Sequence, residues 1–270
     1  MNTAFKRTLL ASLVVPFALG AQSASAVMIT DWGYDVQSSF SNWTDTGGDG
    51  SITASDSDST LSWGVEDPQS SVSITDVSAP NGLITNGGYV DGGTFTHTNN
   101  VLPARGTALA SFDLTSTLTL TPADPAGDPL PSESRTFNSF FNETLNDGTC
   151  IPASLSNCDD IFTIDNIDDL GLVETADGFE FASPSFTIDD YTYTVFLELA
   201  GLGYLGEEAC TEAGASATCI GLITQEGQVN DFETRFRITA NEVEVPEPGT
   251  LALLGLGLAG LGLSRRKKAA

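Results

Sequence analysis

FETRFRIT, residues 232–239, alternates side chains of two kinds. Phe232, Thr234, Phe236 and Ile238 fall on one side; Glu233, Arg235 and Arg237 fall on the other. Successive side chains of a strand point to opposite faces, so this stretch reads as a β-strand with one buried face. Upstream, Ala110, Phe112, Leu114, Leu118 and Leu120 repeat the pattern. Residues 161–164 and 191–199 add two further strand candidates. Residues 27–100 are rich in Gly, Ser, Thr, Asp and Asn between short apolar stretches, the pattern of short strands joined by turns. The prolines at 122, 125, 129 and 131 predict a loop. No stretch between the two ends of the chain carries a sustained helical stripe. These features predict an all-β domain over residues 27–240, a β-sandwich or jelly-roll-like fold.

The two ends differ in kind from this middle. Lys6 and Arg7 precede an apolar run at residues 9–21, and Ala24-Ser25-Ala26 offers small residues for cleavage. Residues 1–26 therefore read as a signal helix that uses the Sec translocon and is removed by signal peptidase. Residues 241–249 read as a linker containing Pro246-Glu247-Pro248. Residues 250–270 hold an apolar, glycine-rich run followed by Arg265, Arg266, Lys267 and Lys268. As a helix, residues 251–263 would reach roughly 20 Å. A bilayer core is about 30 Å thick, so this is a short transmembrane helix. The basic end stays cytoplasmic and everything before it lies outside.

Charge and cysteine content narrow the partners. Of 36 acidic residues only Glu247 lies outside residues 27–245, where the basic residues are Arg105, Arg135, Arg235 and Arg237 and there is no lysine. Such a surface repels nucleic acid and anionic lipid. Cys150, Cys158, Cys210 and Cys219 are an even set in an exported segment, which predicts two disulfides. Three pairings are possible, and the close spacing favours Cys150–Cys158 and Cys210–Cys219. The spacing does not suit a zinc finger.

The order Pro-Glu-Pro, glycine-leucine run, terminal arginines resembles the PEP-CTERM sorting signal of Gram-negative bacteria. That resemblance implies an exosortase, a membrane enzyme that recognises Pro246, Glu247 and Pro248 and processes the chain nearby. Prolines keep this segment extended, the form a protease cleft accepts. Thr96-His97-Thr98-Asn99, with Leu61-Ser62-Trp63-Gly64 and the paired cysteines, is similar to the THxN group of PEP-CTERM proteins. Thr96, His97 and Asn99 are then the family motif.

No nucleophile motif and no His-Glu-x-x-His occurs, so no catalytic residue is expected. His97 reads as a turn histidine hydrogen-bonded to its neighbours, with Thr96 and Asn99 satisfying backbone groups. No metal or other cofactor is expected. Calcium is the one candidate, at Asp45 and Asp49, at Asp56 and Asp58, or at Asp165, Asp168 and Asp169, although none matches an EF-hand loop. A surface-sorted structural or matrix protein, in contact with exopolysaccharide, is the leading expectation. A carbohydrate-binding module using Trp32, Trp43 or Trp63 is the alternative. A hydrolase comes third, because acid pairs occur by chance in so acidic a domain.

Overall fold

The structure, a computed structural model, describes residues 27–144, 154, 158–243 and 255–257. The first strands are β1 (Asp31–Asp45), β2 (Thr53–Ala54), β3 (Thr60–Trp63), β4 (Ser70–Ile74), β5 (Val77–Ile84) and β6 (Val90–Thr98). Next come β7 (Leu109–Asp124), β8 (Glu133–Asn142), β9 (Asp160–Ile164), α1 (Ile167–Leu170), β10 (Val173–Glu174) and β11 (Gly178–Ala182). The last are β12 (Phe186–Ile188), β13 (Tyr191–Ala200), β14 (Gly203–Leu205), α2 (Glu207–Glu212), β15 (Cys219–Thr224) and β16 (Val229–Glu242).

These strands form two antiparallel sheets, as the alternation of the sequence predicts. One runs β14-β15-β9-β8-β7-β1-β5. The other runs β10-β11-β13-β16-β6-β4-β3-β2, with β12 beside β13. Their inner faces share one core. Phe40 and Phe112 come from the first sheet, Phe95 and Phe232 from the second, and all pack in one cluster. Phe95 stacks on Phe232 with ring centroids 4.7 Å apart, and Phe112 meets Phe40 edge-on at 5.2 Å. Edge-on and offset ring contacts contribute about 0.5–1.5 kcal/mol each beyond area burial. A second cluster at one end holds Trp32, Leu83, Leu120, Tyr193, Phe236 and Ile238.

β16 has Phe232, Phe236 and Ile238 buried, on the face its alternation assigns. Arg235 and Arg237 point to the outer face. Arg235 pairs with Glu198 and Asp177, and Arg237 with Glu180. In a domain with four arginines, two thus pair with acids on the outer face of the same sheet or at its edge.

Two boundaries differ from expectation. β7 continues through Pro122, which pairs with Trp32 on β1 where the register shifts. A proline is tolerated there because the ladder is already irregular. β16 extends to Glu242, which pairs with Tyr191, so the first residues of the expected linker belong to the sheet. No helix among the described residues is long and apolar enough to cross a membrane. The expected signal helix and most of the sorting tail lie outside the described residues; residues 255–257 are helical.

Candidate functional site

Strand register brings four polar side chains to one corner of the stack. β8 and β9 pair Asn142 with Ile161, so Glu143 and Asp160 come opposite each other just past the end of β8. β9 and β15 pair Asp160 with Thr224, and the turn that follows carries Glu226. Gly227 in this turn has φ +67°, a left-handed conformation that glycine adopts without steric cost. One carboxylate oxygen from each of Glu143, Asp160 and Glu226 lies within 4.8 Å of the others. The second sheet adds Trp63 from the end of β3 and His97 from β6.

Two of the acids are oriented by fixed donors. The Trp63 Nε1–H donates to Glu143 Oε2 at 2.7 Å. The Thr144 backbone N–H donates to Asp160 Oδ1 at 2.8 Å. Asp160 is 0% exposed and His97 1%. The His97 ring stacks against Trp63 at 5.7 Å and meets Phe141 edge-on at 4.8 Å. Both His97 ring nitrogens, Asp160 Oδ2 and Glu143 Oε1 lack a hydrogen-bond partner among the described residues.

His97 Nε2 stands 3.9 Å from Asp160 Oδ2. That is too long for a hydrogen bond. Burial disfavours the charged form of both groups. Desolvation pushes the His97 imidazole down to about 3. Desolvation, reinforced by the charge of Glu143, holds Asp160 well above the usual carboxylate range. Desolvation also pushes Glu143 up to about 8, against the Trp63 hydrogen bond and with the help of Glu226.

The histidine motif is therefore a strand and not a turn. His97 pairs with Val72 on β4 and with Asn230 on β16. Phe95, His97 and Asn99 alternate inward and are all buried. The expected hydrogen bonds to the His97 ring are not formed, since apolar rings cover it on both sides. Thr96 points outward and donates to Asp231 at 2.6 Å. Asn99 Nδ2 donates to the Thr224 carbonyl at 3.2 Å, tying the motif to the same corner.

Among the described residues the acids singled out for calcium form no group of three side-chain ligands within 4.8 Å of one another. Asp45 accepts from the Gly47 N–H at 2.8 Å, and Asp49 lies 3.7 Å from Arg105. Asp165 accepts from the Ser216 N–H at 2.8 Å. Among the described residues none of these groups gathers three ligand atoms, and the corner at Asp160 does. Trp32 and Trp63 are fully buried and Trp43 is half-buried against the core. These tryptophans pack into or against the core. Cys210 and Cys219 are joined, as the spacing predicts, with Cα atoms 5.8 Å apart. Cys158 is disulfide-bonded too. Cys150, Ala24, Ala26, Pro246, Glu247, Pro248, Arg265 and Arg266 lie outside the described residues.

The family model of the PEP-CTERM protein-sorting motif matches residues 244–267. The chain thus carries the sorting tail of exported proteins that are held transiently at the membrane and passed to an exosortase-type enzyme. No curated protein matches the chain.

Proposed function

We propose that this is a non-enzymatic structural protein of the cell surface or extracellular polysaccharide matrix, a β-sandwich of the THxN group released by exosortase processing. The observation that carries this reading is the sorting motif at 244–267, joined directly to a sheet domain that ends at Glu242. The acidic surface and the Cys210–Cys219 disulfide suit an oxidising exterior. Full burial of Asp160 weighs against a glycosidase role for the acid group at this corner. Burial of Trp32 and Trp63 weighs against the carbohydrate-binding alternative.

Intact-mass spectrometry of the protein from envelope and medium tests the reading. In wild-type cells the mature chain is expected to lack residues 1–26 and the segment beyond the Pro-Glu-Pro region. In an exosortase deletion the tail stays on. The same mass and the same location in both strains would overturn it.

A further inference from the structure

We infer that Glu143, Asp160, Glu226 and His97 form a buried binding site for one divalent transition-metal ion, of the Mn2+ or Zn2+ kind. Three acids from separate segments come within 4.8 Å of one another beneath a protein surface. Like charges brought together away from water repel each other strongly unless a cation or protons intervene. Protons alone leave the corner unexplained. Protonated carboxyls donate hydrogen bonds, yet Asp160 Oδ2 and Glu143 Oε1 make none among the described residues.

His97 is the independent pointer to an ion. It is a buried side chain with two unpartnered nitrogens, and its Nε2 faces Asp160 Oδ2 across 3.9 Å. Metal–nitrogen and metal–oxygen bonds of about 2.0–2.2 Å place two donors on one ion roughly 3–4.3 Å apart. The gap fits that interval. The neutral imidazole already has the form a metal requires. Imidazole with carboxylates selects Mn2+ or Zn2+, whereas Ca2+ and Mg2+ prefer oxygen alone. Trp63 and the Thr144 N–H complete the arrangement. Each donates to an acid oxygen and orients the carboxylate, as outer partners of metal ligands do. Asp160 and His97 are closed off from solvent and Glu143 and Glu226 are part-buried, a setting that suits a structural ion.

The test uses the protein recovered from the envelope, stripped with EDTA and titrated with MnCl2, ZnCl2 and CaCl2. High salt screens the acidic surface. The expected result is one equivalent of Mn2+ or Zn2+ per chain, with Ca2+ at least about tenfold weaker. Pulsed electron paramagnetic resonance of the Mn2+ form should show a 14N coupling that His97→Gln removes. The Glu143→Gln/Glu226→Gln double variant should lose the stoichiometric ion. The inference fails if folded native protein takes up neither Mn2+ nor Zn2+, or if Ca2+ binds more tightly than both. It also fails if bound Mn2+ shows no nitrogen coupling, or if the folded double variant still binds one equivalent. Should the double variant be unfolded by circular dichroism, the nitrogen coupling of the native protein decides.

Discussion

Two tryptophans are buried at opposite ends of the same pair of sheets, and each brings a polar N–H into the interior. Around Trp32 the hydrogen bonds close. Its Nε1–H donates to Thr85 Oγ1 at 2.9 Å, and the Thr85 hydroxyl donates to the Ile29 carbonyl at 2.6 Å. The Ile29 N–H then donates to the Tyr193 hydroxyl at 2.8 Å. Around Trp63 they do not close. Its indole donates to Glu143, beyond which lie Asp160 and His97 with orphaned atoms. A satisfied polar network fixes a structure, and an unsatisfied one costs stability unless something else completes it. The comparison teaches that hydrogen bonding is a design of the first end, and that the second is built to be finished by another species.

The comparison can be broken most forcefully at the closed end. Trp32→Ala removes a 0%-exposed indole and the hydrogen bond that Thr85 Oγ1 accepts from it. A loss of about 3–5 kcal/mol is expected in urea unfolding, the same with EDTA as with Mn2+. A loss that depended on metal would couple the two ends and dissolve the contrast.

A smaller effect is expected from pH in EDTA. Glu143 is raised in the folded state to about 8, so its contribution is complete below about pH 4.5 and is lost as pH rises through 8. Asp160, raised by the same burial, acts in the same direction. His97 is lowered to about 3, so its contribution is present above about 6.5 and is lost as pH falls toward 3. Above pH 6.5 only the acids act, and the metal-free protein should lose up to about 1.4 kcal/mol per pH unit for each acid titrating. With Mn2+ bound the carboxylates are already ionised, and the slope should flatten. Equal slopes in both conditions would show that the acids of the corner are not held together as described.

The smallest effect sharpens the contrast by its sign. His97→Phe replaces an unpartnered imidazole between Trp63 and Phe141 with an apolar ring. In EDTA the thermal midpoint should stay within a few degrees of wild type or rise, because two orphaned nitrogens disappear. With Mn2+ present, the midpoint of the variant should fall below that of wild type.

These two ends were not equally legible in the sequence. β7 and β16 announce themselves, because alternation over eight or more residues has one physical meaning. The corner has no local signature. Glu143, Asp160 and Glu226 are distant in sequence and meet only because β8, β9 and β15 are neighbours in one sheet. One signal of the corner does stand in the sequence. Phe95, His97 and Asn99 continue a period of two that starts at Gly93, which assigns the histidine to an inner face. Its glycine-rich approach and flanking threonines favoured a turn instead. Asp160 carries no comparable mark: it heads β9, and only the fold shows it to be 0% exposed. Pro122 misled in the opposite direction, because a register shift on β1 accommodates it.

β16 also sets an orientation. It begins just after the turn that carries Glu226 and ends beside Tyr191, near Tyr193 and Trp32. Its 14 residues span about 45 Å at roughly 3.3 Å per residue. Ile29 lies at the same end, bonded to Tyr193. The strand that leads toward the sorting motif therefore leaves the fold at the Trp32 end, with the acid corner at the opposite end. A cut near the sorting motif would thus fall at the end of the sheets away from Glu143, Asp160 and Glu226.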